Sequence, residues 1–248
     1  MICSTPAFVL KSYDLRETSK IAVFFTRDFG KVKGVLKGIR TDPRKFSSSL
    51  QLLSLNHIIF YKKRTSEIHL VSQCDLIDDF ALNRGDLKAF GFSSFVSELV
   101  DLVMPLEDMH KDVFSLIFDF LNSLKTDTKQ DTRPIFEIKI LALSGFKPHF
   151  DSCVICDAKL STKGFFSHAK GGLLCSKCLF HDVRAEQILA GTIASILYIE
   201  NSPWQKCLRL SMLTPVRRQL DNILNCFIQY HLGRALKTAP LVHQLLDL

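Results

Sequence analysis

A single tryptophan, four tyrosines and no apolar run near the roughly 20 residues of a membrane span set the first limits on this 248-residue chain. The opening Met1-Ile2-Cys3-Ser4-Thr5-Pro6 has no basic stretch leading into a long apolar one, so no signal peptide is expected. A Gly-x-x-x-x-Gly-Lys-Ser/Thr loop is missing, which removes the basis for a P-loop ATPase. Also missing are a Gly-x-Ser-x-Gly elbow and the His-x-Glu with Pro-Cys-x-x-Cys of zinc deaminases. Gly30, Gly34 and Gly38 are spaced as turn and strand glycines rather than as a dinucleotide fingerprint. The acidic pairs Asp78-Asp79 and Glu107-Asp108 are expected at helix starts, where carboxylates suit the macrodipole. These absences predict a non-enzymatic cytoplasmic protein with no membrane partner. Its eight cysteines are then thiols or metal ligands rather than disulfides.

What is present is a large apolar fraction, 47%, and an uneven charge. Residues 1–72 carry thirteen Lys and Arg against five Asp and Glu, a balance of +8. The remaining residues carry nineteen against twenty, so the whole excess lies in the first third. Such asymmetry points to a polyanion, with a solvated basic face as the alternative.

That first third reads as strands. Phe8-Val9-Leu10, Ile21 to Thr26, Lys31 to Lys37, His57 to Tyr61 and Glu67 to Ser72 are short runs rich in β-branched and aromatic residues. Asp28-Phe29-Gly30 predicts a hairpin with Gly30 at positive φ. In the next strand Val32, Gly34 and Leu36 share one face, while Lys31, Lys33, Val35 and Lys37 share the other. Five short strands suit a small barrel such as the OB-fold over residues 1–78. The polar loop Gly38 to Ser49 is either a connector or an arm that closes on a phosphate backbone.

From residue 79 to 248 the period becomes helical, which makes the chain α+β overall. Leu87, Phe90, Phe95, Leu99 and Leu102 form one expected core stripe, and Val113, Leu116, Ile117, Phe120, Leu121 and Leu124 a second. Pro105 should end the first helix, and Pro134 should open a third that runs through Phe136, Ile140, Leu141 and Leu143. Leu220, Ile223, Leu224 and Phe227 share a face near the C-terminus.

Cys153-Val154-Ile155-Cys156 and Cys175-Ser176-Lys177-Cys178 are separated by eighteen residues. Each pair sets two thiolates on one tight turn, and two such knuckles complete a tetrahedral site in the spacing range of zinc. Iron also accepts four thiolates. Four cysteines fill the coordination sphere, whereas a catalytic zinc keeps a position open, so one structural zinc ion is expected within residues 149–182. Gly164 to Leu174 reads as a hairpin carrying the second knuckle. His149, His168 and His181 are expected to be ordinary surface or satisfied histidines. Cys3, Cys74, Cys207 and Cys226 receive no role, with Cys226 expected as a small buried residue.

Four stretches carry a resemblance to a known family. They are Phe29-Gly30-Lys31 through Lys37-Gly38-Ile39-Arg40, Phe136-Glu137 through Gly145-Phe146-Lys147-Pro148, Gly171-Gly172-Leu173-Leu174 through Cys178, and Tyr230-His231-Leu232-Gly233-Arg234-Ala235-Leu236-Lys237. In this order and spacing the chain resembles the RecO family of bacterial recombination mediators along nearly its whole length. The resemblance implies an N-terminal OB-fold, a helical domain with a zinc subdomain, and a role at the nucleoid. It also implies binding of single- and double-stranded DNA, annealing of complementary strands, and help in loading recombinase onto coated strands. The implied partners are RecR and the acidic C-terminal tail of single-strand DNA-binding protein (SSB).

The candidate DNA contacts are Arg27, Lys31, Lys33, Lys37, Arg40, Arg44, Lys45, Lys62, Lys63 and Arg64. Together they offer a basic groove that offsets repulsion between two phosphate backbones without reading sequence. Phe46 and Tyr61 are stacking candidates, with a core position as the alternative for each. Arg133, Arg217 and Arg218 are candidate contacts for the acidic partner tail. A protein-interaction scaffold with an incidental basic barrel is the competing reading.

Overall fold

The computed structural model describes residues 1–42, 46, 48, 50–80, 86–126, 131–160 and 164–246. The chain divides into two compact units, Met1–Gln130 with Lys237–Leu248, and Asp131–Leu236.

The first unit holds the expected barrel. Its strands are β1 (Ile2–Leu15), β2 (Ser19–Thr26), β3 (Gly30–Leu36), β4 (Leu55–Tyr61) and β5 (Ile68–Asp78). They close in the order β1-β2-β3-β5-β4, antiparallel except for the β3–β5 seam. This is the OB-fold arrangement, and closure leaves no free sheet edge. Val9, Phe24, Val32, Ile58, Phe60, Val71 and Cys74 fill its interior.

In β1 the consecutive buried run Ala7, Phe8, Val9 and Leu10 means that both faces are covered. Phe8 points out of the barrel onto Phe114, ring centroids 4.7 Å apart. The ladder with β2 slips between Val9 and Lys11, and the freed Leu10 carbonyl accepts a 2.6 Å hydrogen bond from Ser97 Oγ. Gly30 sits at φ 65° as expected, and a Cβ there would lie 1.9 Å from the Asp108 carbonyl oxygen. Conformation and crowding therefore both demand glycine.

Helices α1 (Leu87–Val103), α2 (Lys111–Thr126) and α7 (Ala239–Leu246) share this unit. The buried face of α1 is Phe92, Phe95, Val96, Leu99 and Val100, whereas Leu87 and Phe90 of the expected stripe are exposed. The stripe on α2 is buried throughout. Glu98 accepts from the Lys237 and Thr238 backbone N–H groups and from Thr238 Oγ1, which fixes the start of α7.

The second unit contains α3 (Arg133–Leu143), α4 (Ala190–Asn201), a short α5 (Trp204–Cys207) and α6 (Thr214–Leu232). Pro134 lies in the first turn of α3, and Leu220, Ile223, Leu224 and Phe227 form the buried face of α6. Leu143, expected in the core, is 37% exposed. A three-stranded antiparallel sheet, β6 (Gly164–Ser167), β7 (Gly172–Leu174) and β8 (Glu186–Ile188), is ordered β7-β6-β8.

Candidate metal centre and nucleic-acid interface

Cys153 and Cys156 lie on the loop after α3, and Cys175 and Cys178 on the turn after β7. The first knuckle is closed by Asp157 N–H to the Cys153 carbonyl at 2.9 Å, with Asp157 in the left-handed region at φ 57°. The second is closed by Cys178 N–H to the Cys175 carbonyl at 3.0 Å. The two are brought together by β7, where the Val154 N–H donates to the Leu173 carbonyl at 2.8 Å and Cys175 N–H to Cys153 Sγ at 3.3 Å. Gly172 permits this approach, since a Cβ there would lie 2.6 Å from the His149 carbonyl oxygen.

All four sulfurs lie within 4.8 Å of one another, and Cys156 Sγ is 3.7 Å from Cys175 Sγ. Four sulfurs about 2.3 Å from a central zinc ion would be ~3.8 Å apart, so the arrangement fits a tetrahedral metal. Burial opposes ionisation of Cys153, but backbone N–H groups of Cys175, Ile155 and Cys156 outweigh it and bring the thiol down to about 6. Cys153 is therefore the thiol of the four most readily turned into thiolate, whereas burial and the neighbouring sulfurs raise Cys178. Among the described residues this is the one group of three or more His, Cys, Asp or Glu close enough to hold an ion. Of the other cysteines, Cys3, Cys74 and Cys207 are buried, and Cys226 is half-buried rather than enclosed. Nor is His168 a satisfied histidine: both ring nitrogens are enclosed without a hydrogen-bond partner among the described residues.

On the barrel the candidate cations separate into two kinds. Lys33, Lys37, Arg40, Lys63 and Arg64 reach solvent, and Lys33 forms a 3.0 Å surface pair with Glu67. Arg40 reaches back to the β1–β2 turn, donating to the Arg16 carbonyl at 3.0 Å. Arg27 is exposed and pairs with its neighbour Asp28 at 3.3 Å. Arg44 and Lys45 lie outside the described residues.

Lys31 departs from the expected solvent face. Its side chain is 10% exposed and its Nζ lies 3.3 Å from Asp101 Oδ1 and 2.6 Å from the Asp101 carbonyl on α1. Lys11 meets the other Asp101 oxygen at 2.5 Å. Burial lowers the Lys31 pKa despite that carboxylate, and Asp101 is held below its usual range by the two lysines against its own burial. Lys62 is likewise engaged, 2.5 Å from Glu107, whose other oxygen is 2.8 Å from Nε2 of the fully buried His69. Glu107 thus stands in a loop before α2 and serves the barrel, not a helix start.

An open cleft of about 810 Å³ is bordered by Lys31, Lys62, Lys63, Arg64, Glu67 and Glu107. Among the stacking candidates Phe46 belongs to the barrel core, 3% exposed, while Tyr61 is 44% exposed. Sequence reasoning left out Arg16 and Lys20, which the β1–β2 hairpin sets beside Lys37 and Arg40. The contacts from Arg40 to Thr18 and Arg16, and the Lys20–Leu36 register, fix them there. The signal available was the hairpin itself.

The three arginines proposed for a partner tail also differ. Arg133 is 2% exposed and forks onto Asp131 at 2.8 and 2.6 Å, and Arg217 bonds the same Asp131 carboxylate and lies 3.2 Å from Asp221. Of the three candidate contacts, Arg133 and Arg217 are thus engaged with Asp131, and Arg218 is the one open to solvent.

Comparison with known proteins covers both units. Residues 1–80 match the family model described as recombination protein O N terminal, and residues 84–240 the one described as recombination protein O C terminal. The chain is 28% identical over 240 residues to the DNA repair protein RecO of Desulforamulus reducens, spanning 96% of this chain and 93% of that protein. It is 28% identical over 246 residues to that of Syntrophus aciditrophicus, covering 97% and 95%. With that of Caldanaerobacter subterraneus subsp. tengcongensis it shares 26% over 246 residues, covering 98% of each. No helix among the described residues is long and apolar enough to cross a membrane.

Proposed function

The chain belongs to the recombination protein O family, and from that premise we propose that it is a DNA repair and recombination mediator that works without catalysis. It binds single- and double-stranded DNA through the barrel and anneals complementary strands. With RecR it assists recombinase loading onto strands coated by SSB, in the bacterial cytoplasm at the nucleoid. The observation that carries this reading is the concentration of +8 within residues 1–72 of a chain whose net charge is +7. A scaffold with an incidental barrel gives no reason for that placement.

Annealing follows from electrostatics. Two strands repel through their phosphates; cations that contact both backbones release counterions, and base pairing then supplies the free energy. Lys63 and Arg64 on the β4–β5 turn are exposed and form no ion pair among the described residues. Among the described residues Lys33 pairs only with an exposed glutamate, a contact worth ~0–1 kcal/mol that a phosphate displaces readily. Lys37, Arg40, Arg16 and Lys20 extend the field at the other end of β3. Lys31 is assigned to the fold, because its Asp101 contact would have to break before it met DNA.

The four cysteines take one zinc ion, which supplies a covalent-like tie between two knuckles and leaves no open position for chemistry. Arg218 is the remaining candidate contact for the acidic SSB tail, since Arg133 and Arg217 are committed to Asp131. An annealing assay on complementary strands, bare and SSB-coated, with and without RecR, tests the reading. Acceleration of bare-strand annealing at low salt is expected, with RecR needed on coated strands. Annealing no faster than protein-free strands at any salt would reject it.

A further inference from the structure

The second knuckle runs directly into a 3₁₀ turn, Leu179–His181, and then into Asp182-Val183-Arg184. Phe180 on this turn is 73% exposed and Val183 is 84% exposed. Single exposed apolar side chains are ordinary, so exposure by itself means nothing. Here it coincides with three further features.

The platform is rigid: His181 N–H donates to the Cys178 carbonyl at 3.0 Å and Asp182 N–H to the Leu179 carbonyl at 3.1 Å. Asp182 is tied to Ser167 Oγ at 2.5 Å and to the Arg184 backbone N–H at 3.0 Å. Secondly, the Phe180 and His181 rings lie 4.1 Å apart, tilted by 32°, so the exposed π surface is wider than one ring. Thirdly, Lys177 and Arg184 flank it in sequence, both exposed and neither in an ion pair among the described residues. The one acid between them in sequence, Asp182, has its carboxylate occupied by the bonds just named, which together with the nearby Arg184 charge hold it below its usual range against its burial.

We propose that this tip is a second contact for single-stranded DNA, in which an unpaired base stacks on Phe180 while Lys177 and Arg184 meet the adjoining phosphates. The inference rests on the reading that the chain binds DNA, but uses residues outside the barrel. A flat base face suits a projecting ring, whereas a protein partner would have to supply a pocket for it. Every base has such a face, so the contact is indifferent to sequence. Duplex DNA keeps its bases stacked inside and offers nothing to Phe180. The metal's part is to hold the turn that presents the ring.

The test uses the full chain with zinc bound. Anisotropy titrations of a fluorescein-labelled oligothymidylate and of a duplex of equal length compare wild type, Phe180→Ala, Phe180→Trp and Lys33→Glu/Lys37→Glu. Phe180→Ala should weaken single-strand binding ~5- to 100-fold, leave duplex binding within about twofold, and keep the salt slope, because no phosphate contact is lost. Phe180→Trp should restore affinity and show indole quenching on binding. Single-strand binding by Phe180→Ala equal to wild type, with the barrel variant impaired, would overturn the tip and leave the barrel reading standing. An equal loss on duplex and single strand with a lowered melting temperature would make Phe180 structural and also overturn it. Unchanged DNA binding together with lost binding of an acidic peptide would reassign the tip to a protein partner. Wild-type behaviour of the barrel variant would instead reject the barrel site.

Discussion

The barrel of residues 2–78 and the cysteine segment of residues 149–188 reach stability by different routes. Five strands of seven to fourteen residues let the barrel close its own ladder and bury Phe24 and Phe60 completely. The segment has strands of four, three and three residues, and its buried apolar residues Phe150, Phe166, Leu173, Leu174 and Ile188 are joined by three of the four site cysteines, Cys153, Cys175 and Cys178. On the proposed reading a metal ion supplements that small core, as in other small metallo-units. The barrel, needing no such tie, can leave its lysines and arginines on the surface. On the proposed function the difference teaches that the most conspicuous chemistry in the chain is a staple, and the more diffuse feature is the working surface.

The largest expected effect breaks the staple. Cys175→Ser, or removal of metal by chelation, should lower the melting temperature of the Asp131–Leu236 unit by roughly 10 °C or more. Barrel-mediated duplex binding should stay within about threefold, read by calorimetry and anisotropy on one preparation. Loss of duplex binding with the fold retained would erase the division drawn above.

Next in size is Lys31. Lys31→Glu would set a carboxylate against Asp101 in a site only 10% exposed on the lysine side, and should destabilise the first unit by ~3–5 kcal/mol in urea titrations. Lys31→Met should cost less, since Lys11 remains on Asp101. If Lys31→Glu is as stable as wild type yet binds DNA poorly, the lysine belongs to the interface after all.

The effect confined to high pH concerns the buried cluster of the second unit. Burial pushes the Glu137 carboxyl up to about 8 against the pull of Arg133. A raised folded-state pKa means that the protonated form is favoured by folding. Its contribution is complete below the unfolded value near 4.3 and is lost as pH rises through about 8. Glu137→Gln, which stays neutral, should therefore unfold clearly above wild type at pH 8.5 and near it at pH 5. Equal melting temperatures at both pH values would place the charge elsewhere in the cluster.

What was legible in the sequence was local. Strand alternation, the Gly30 turn, Pro134 in the first turn of α3 and the two Cys-x-x-Cys pairs each sit within a few residues of their cause. The pairings Lys31–Asp101, His69–Glu107 and Glu98–Thr238 span 70, 38 and 140 residues, and no periodicity announces them. For the same reason charge alone grouped Lys31 with Lys33, and apolarity alone set Leu87 and Phe90 in a core that Phe92 and Val96 occupy. Of the two readings open for Phe46, a stacking platform or a core position, the barrel interior takes the second.

The most direct test of the central claim is the salt dependence of single-strand DNA affinity for wild type and Lys33→Glu/Lys37→Glu. The account predicts a steep linear fall of log affinity with log salt for wild type. The variant should bind ~10- to 100-fold more weakly at low salt, with a slope shallower by about 1.4, or 0.7 per lost phosphate contact. A variant with wild-type affinity and slope would contradict the assignment of the barrel as the DNA-binding surface.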